Sequence, residues 1–148
     1  MNDAELAAIL EDPSKSIEGD IDWREDEDHS PAVEFRAEVL SDAGWPLVVC
    51  GSFNALAGTL TYAMIHRGMG RVYALDLGKD HRNPDGDMVG EKHKHRWTKR
   101  FRDKEAYVPE DITANVESPV DVWQQFCVEA GITHRGALRG PPPTRGIL

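Results

Sequence analysis

The hydrophobic residues near the start of the chain recur with the period of a helix. Over residues 3–11 the apolar positions share one face, and they are Leu6, Ile9 and Leu10. Asp3 is a suitable cap for this helix, and Pro13 ends it. Residues 12–31 follow with no regular period and with an acidic run. We therefore interpret residues 1–32 as a short helix plus an exposed acidic linker.

From residue 33 the period changes to two, which is the period of a half-buried β-strand. Alternation or short apolar runs predict five strands, at residues 33–39, 47–53, 59–66, 71–77 and 91–97. Short turns separate the first four strands. These connections favour antiparallel pairing, because a parallel crossover needs about a dozen residues or more.

The strongest helix signal lies near the end of the chain. Ser118 is a suitable cap, Pro119 suits the first helical position, and Gly131 is the expected terminator after apolar residues at helical spacing. We expect the apolar face of this helix to cover one side of the sheet. The Gly- and Pro-rich residues 136–148 predict a flexible tail.

The predicted fold class is α+β. It consists of a mostly antiparallel four- or five-stranded sheet, an N-terminal helix, and a C-terminal helix packed on one face of the sheet. Residues 33–135 form a single domain in this interpretation, which is a normal size for one hydrophobic core.

Charge is distributed unevenly along the chain. Residues 1–42 hold 14 acidic and three basic residues, whereas residues 79–104 hold nine basic and five acidic ones. An anion-binding face beside an acidic arm would explain this pattern, and so would chance clustering of surface charges. No apolar run reaches the ~20 residues of a membrane span, and the first residues do not resemble a signal peptide. We expect a cytoplasmic protein without a membrane partner.

Residues 76–97 are the candidate functional segment, because they combine three histidines with several carboxylates and a run of Lys and Arg. A hydrophobic core has no use for this mixture, since polar side chains buried without partners cost free energy. The predicted functional surface consists of Asp76, His81, Glu91, His93, His95 and Arg96.

One interpretation is phosphate or nucleic-acid chemistry, including ribonuclease-like cleavage without a metal. Histidine exchanges protons near neutral pH, and Arg and Lys neutralise phosphates. The catalytic residues would be His81, His93, His95 and Arg96, and the substrate-binding residues Lys92, Lys94, Trp97 and Arg100. His93 or His95 would act as base and His81 as acid. The difficulty is that strand alternation places the histidines and the cations on opposite faces.

The second interpretation is a metal site, with Zn²⁺ or another divalent ion as the cofactor. His93 and His95 are two residues apart on a strand and share a face. A mixed set of imidazole and carboxylate ligands would be completed from the same segment, giving Asp76, His81, Glu91, His93 and His95. Such a site would have an open position for water. A calcium loop is disfavoured, because the EF-hand spacing is absent.

A third interpretation is a binding module without chemistry. The acidic arm would suit a basic partner, including a nucleic-acid-binding enzyme that the protein inhibits as a nucleic-acid mimic. Residues 76–97 would alternatively be a rigid loop whose histidines and acids bond one another. The sequence leaves the partner and the oligomeric state open.

The run GKDHRNPDGDMVGEKHKHRW, followed by DKEAYVPEDITA and VWQQFCVEAGITH, resembles a family of small uncharacterised bacterial proteins, some of them from mobile elements. The resemblance is carried by a GKDHxNPxG…GEKHKHRW motif and covers about residues 44–134. The family has no known function, so the resemblance implies only a small, stand-alone, phage- or plasmid-linked protein.

Overall fold

The computed structural model describes residues 1–143, and its centre is a seven-stranded antiparallel sheet with the strand order β2-β3-β4-β5-β6-β7-β8. The strands of this sheet are β2 (Arg24–Glu25), β3 (Val33–Val39), β4 (Leu47–Asn54), β5 (Thr59–His66), β6 (Gly70–Leu77), β7 (Lys92–Arg96) and β8 (Ala106–Tyr107). A separate parallel pair joins β1 (Ser16–Glu18) to β9 (Thr133–Arg135). Antiparallel pairing of the main sheet is confirmed.

The prediction of four or five strands was wrong. The two added strands of the main sheet, β2 and β8, have only two residues each, which is too short for alternation to be recognised. They form through pairing with longer neighbours rather than through a pattern of their own. The parallel pair of β1 and β9 joins segments more than a hundred residues apart, which local sequence patterns do not reveal.

The two helices are α1 (Asp3–Glu11) and α2 (Pro119–Ala130). The cap of α1 is Asn2 rather than Asp3, because the Asn2 side chain accepts a hydrogen bond from the backbone N–H of Glu5 at 2.8 Å. Helix α2 ends as predicted at Gly131, which has a left-handed φ of 70°.

The acidic N-terminal region is more ordered than the linker we expected. Ile17, Ile21 and Trp23 are buried within it, and the Trp23 indole N–H donates to the carbonyl of Arg139 at 3.0 Å. Leu138 is buried beside Ile21. The first residues of the predicted tail thus belong to the folded body, and residues 144–148 of that tail lie outside the described residues.

The core lies on the face of the sheet that contacts α2. The aromatic rings that meet there are Phe35, Tyr62, Tyr73, Trp123 and Phe126, with centroids 5.1–6.0 Å apart. The opposite face carries a polar row at the β5–β6–β7 end. No helix within residues 1–143 is long and apolar enough to cross a membrane.

Candidate metal site

The site begins with the register of β5, β6 and β7 on the face opposite α2. Asp76 pairs with His93 across β6 and β7, and Thr61 pairs with Asp76 across β5 and β6. Directly paired residues of antiparallel strands point to the same face, so these side chains form one row. His95 lies two residues beyond His93 and therefore joins them. Both histidines are only 2% exposed.

His81 comes from the loop between β6 and β7, which is folded into a small hairpin. Residues 83–86 form its turn, in which the backbone N–H of Gly86 donates to the carbonyl of Asn83 at 2.8 Å. The Asp80 carboxylate accepts from the backbone N–H groups of His81 and Gly90, and so ties the two ends of the hairpin together. The His81 ring centroid consequently lies 5.5 Å from that of His93 and 4.6 Å from that of His95.

Each of the three rings donates one N–H to a backbone carbonyl. His81 Nε2 lies 2.6 Å from the oxygen of Lys104, His93 Nδ1 lies 2.9 Å from that of Gly90, and His95 Nδ1 lies 2.7 Å from that of Asp103. A carbonyl oxygen only accepts, so these nitrogens carry the hydrogen. In a neutral ring the other nitrogen is then an acceptor with a free lone pair.

Asp76 stands between two of those acceptors. Its Oδ2 is 3.2 Å from Nε2 of His93 and 3.4 Å from Nε2 of His95, while its Oδ1 accepts from the Thr61 hydroxyl at 2.5 Å. Burial would raise the pKa of Asp76, but the hydrogen bonds from His93, His95 and Thr61 outweigh it and hold the pKa well below its usual range. The carboxyl is therefore ionised at neutral pH.

The electrostatics of His93 mirror those of Asp76. Burial alone would lower the pKa of His93, but the hydrogen bonds to Asp76 and Gly90 and the negative charges of Asp76 and Asp80 together outweigh it and raise the pKa above its ordinary value. A positive charge is thus favoured between His93 Nε2 and Asp76 Oδ2. A proton supplies that charge when no metal is bound.

The distances suit a metal ion with short bonds. One nitrogen from each of His81, His93 and His95 lies within 4.8 Å of the other two. Tetrahedral Zn²⁺ with bonds of 2.0–2.1 Å requires ligand atoms about 3.3 Å apart. The separations of Asp76 Oδ2 from the two Nε2 atoms already match this value.

Arg71 reaches the site because of a β-bulge. The register shifts between Met64 and Ile65, so that Ile65 pairs with Arg71 and Val72 is the extra residue. A bulge of this kind redirects the side chains that follow it. The guanidinium Nη1 of Arg71 lies 3.9 Å from Asp76 Oδ2, and its Nε donates to the Asp103 carboxylate at 3.1 Å.

The structure gathers part of the predicted site and leaves the other part elsewhere. His81, His93 and His95 lie together and Asp76 lies beside His93 and His95, whereas Glu91 is exposed and outside the histidine group. Lys92 donates to the carbonyl of Ile112 and Lys94 binds Asp111 and Glu129, in both cases away from the histidines. The remaining predicted residues are exposed Arg96, buried Trp97, and Arg100, which lies over the Phe101 ring.

Three residues of the site were not predicted from the sequence. Thr61 holds Asp76, Asp103 supplies the carbonyl that orients His95, and Arg71 lies beside both carboxylates. The position of Thr61 could have been predicted from the sequence. Pairing the predicted third and fourth strands through their short turn places Thr61 opposite Asp76. The position of Arg71 could not, because the bulge that redirects it has no sequence signature here.

The model of a protein family of unknown function, DUF6978, matches residues 1–132. The chain belongs to this family. The DUF6978 match extends over the whole sheet, the three histidines and α2. No curated protein and no solved structure matches the chain. The function of this DUF6978 protein is therefore argued from its own geometry.

Proposed function

We propose that this DUF6978 protein binds one divalent transition-metal ion, with Zn²⁺ as the first choice, through His81, His93, His95 and Asp76. One observation carries the proposal. Asp76 Oδ2 lies 3.2 Å from Nε2 of His93 and 3.4 Å from Nε2 of His95, and each of these atoms offers a lone pair when the rings are neutral. A metal ion bound by them would replace the proton that otherwise lies between His93 and Asp76.

The surroundings of the rings support a metal over a purely structural network. Metal-bound histidines usually donate their second ring N–H to a carbonyl or carboxylate, which fixes the tautomer and the ring orientation. All three histidines make such a bond to a backbone carbonyl. Asp76 is fixed in the same way by the Thr61 hydroxyl. The outer partners of a metal site are therefore already in place.

The ligand types narrow the choice of ion. Imidazole nitrogens suit Zn²⁺, Fe²⁺ and similar ions, whereas Ca²⁺ and Mg²⁺ prefer oxygen ligands. The ligand set contains no cysteine, unlike most closed structural zinc sites. His81 is only partly buried, so solvent reaches this side of the site. We infer an accessible coordination position, in which a bound water would have its pKa lowered by the metal.

The test is elemental analysis of protein produced without a histidine tag. We expect about one transition-metal ion per chain, and loss of the ion in His93→Ala and His95→Ala. His29→Asn is the matched control, because His29 is exposed and its ring bonds to Asp26. A wild-type protein that neither retains nor takes up metal, or a His95→Ala variant that holds as much as the wild type, refutes the proposal.

A further inference from the structure

We propose that the metal-loaded site binds a phosphate monoester, with the phosphate between the metal and Arg71 and the organic group in the adjoining cavity. This inference rests on the proposed metal site. It goes further by assigning the class of ligand and two residues, Arg71 and Arg102, that are not metal ligands.

Arg71 is positioned to bind an oxyanion next to the metal. Its Nη1 lies 3.9 Å from Asp76 Oδ2, one of the atoms that would hold the ion, and its side chain is 31% exposed. The bond from its Nε to Asp103 fixes the plane of the guanidinium. The planar guanidinium group presents paired N–H donors that match two phosphate oxygens.

A cavity of about 470 Å³ continues from Arg71 away from the histidines. Its lining consists of Gly68, Met69, Gly70, Arg71, Trp97, Arg102 and Asp103. Arg102 lies over the Trp97 ring at 5.3 Å. It is also the one non-glycine residue with a positive φ, 58°, in the part of the chain that the structure describes. Uncommon backbone conformations of this kind occur often at ligand-binding sites.

The charges around the site favour a dianion once the metal is bound. The charged side chains that line the cavity or contact the site are Arg71, Lys79, Arg102, Asp76, Asp80 and Asp103. These groups sum to zero, so a divalent ion gives the site a local charge of +2. A phosphate monoester carries nearly two negative charges at neutral pH. Phosphate binding should therefore require the metal.

The same geometry favours a small molecule over RNA. A polynucleotide needs a row of available cations along its backbone. Lys94, in the centre of the basic run, is fully buried and bound to Asp111 and Glu129, and Lys92 donates to a carbonyl. Among residues 1–143, only three cations contact the site or line the cavity, Arg71, Lys79 and Arg102, which is enough for a single phosphate but few for a polynucleotide backbone.

Calorimetric titration of the metal-loaded protein tests the proposal, with inorganic phosphate, phenyl phosphate, acetate and a short RNA as separate probes. Metal content is measured first in every variant. We expect both phosphate probes to bind the loaded protein, and neither to bind protein stripped with a chelator. Arg71→Gln and Arg102→Gln should each weaken binding about 10-fold or more while the metal content is unchanged. Arg24→Gln, an exposed arginine at the far end of the same sheet, is the control.

The outcomes separate the two proposals. A protein that takes up no metal refutes the metal site and this inference together. A protein that takes up metal but binds no phosphate, or binds it equally well as Arg71→Gln, refutes this inference alone. Equal binding of acetate overturns the choice of phosphate, and tighter binding of RNA than of phenyl phosphate overturns the choice of a small ligand. Arg71→Lys, which keeps the charge without the paired donors, should give intermediate affinity.

Discussion

Two buried polar clusters lie on opposite faces of the same strand pair, β6 and β7. The lysine cluster, on the α2 face, contains Lys94, Asp111, Glu129 and Tyr107. The histidine cluster, on the other face, contains Asp76, His81, His93 and His95. The buried centre of each cluster comes from alternate residues of one KHKHR strand, which are Lys94 on one face and His93 and His95 on the other, whereas Tyr107, Asp111 and Glu129 keep partial exposure.

The clusters differ in how their hydrogen-bonding groups are matched. Lys94 is a donor that meets two carboxylates, and the Tyr107 hydroxyl donates to Glu129 at 3.1 Å. The histidine cluster instead brings acceptors together around Asp76 Oδ2. In the lysine cluster the positive charge is fixed on Lys94, whereas in the histidine cluster it comes from an exchangeable proton, which a metal ion can replace. This difference leads us to assign metal binding to one cluster and packing to the other.

Metal removal should give the largest effect that separates the clusters. With free Zn²⁺ at about 100 times its dissociation constant, binding to the native state adds about 2.7 kcal/mol to the free energy of unfolding. For a chain of this size that raises Tm by about 5–10 °C. We expect chelator to abolish this shift in the wild type. The shift should be absent in His93→Ala and intact in Lys94→Met, as measured by thermal melts with and without metal.

The opposite cluster should respond to Lys94→Met with a loss of stability and no loss of metal. Removing the cation leaves two carboxylates without their partner, which costs several kcal/mol when they are fully buried. Asp111 and Glu129 keep 41% and 37% side-chain exposure, so we expect about 2 kcal/mol from denaturant unfolding. The triple variant Lys94→Met, Asp111→Asn, Glu129→Gln should regain part of the lost stability, because it no longer carries two unpaired carboxylates. A Lys94→Met protein that no longer takes up metal would contradict the assignment of separate roles.

Thr61→Val should show a smaller effect that is confined to the histidine cluster. The substitution keeps the shape of the side chain and removes the hydroxyl that donates to Asp76 Oδ1. Loss of an outer partner of this kind typically weakens metal binding by about 10- to 100-fold. We expect metal binding to weaken by about 10-fold, and the free energy of unfolding to fall by about 1 kcal/mol. Competition with a chelating dye measures the affinity, and Thr59→Val on the same strand is the control.

The sequence predicted the residues of the histidine cluster better than those of the lysine cluster. The alternation of residues 92–96 correctly separated the histidines from the lysines, because a strand has only two faces. Lys94 was predicted to bind substrate, and its partners Asp111 and Glu129 were not predicted, because they come from a loop and a helix distant in sequence. The loop and bulge that bring in His81 and Arg71 depend on tertiary contacts in the same way. Longer strands and α2 were predictable because their periodicity is local.

The smallest expected effect is the part of the pH dependence of stability that comes from the lysine cluster. Burial would raise the pKa of Asp111, but its hydrogen bonds with Lys94 and Glu129 and the positive charge of Lys94 together outweigh it and lower the pKa below its ordinary value of 3.8. A carboxyl group whose pKa is lower in the folded state than in the unfolded state stabilises the fold. The stabilisation is complete at a pH above the pKa of the unfolded state, and it is lost as the pH falls to the pKa of the folded state.

The stability difference between wild type and Lys94→Met should therefore be constant near neutral pH and shrink below about pH 3.8. Urea unfolding of both proteins across this range, without metal, measures the difference, and subtraction removes the acid response of Asp76 that they share. A difference that stays constant to the lowest pH would mean that Lys94 stabilises the fold through packing rather than through its charge. The contrast between a cluster with a fixed positive charge and one that can exchange its proton for a metal ion would then rest on the histidine cluster alone.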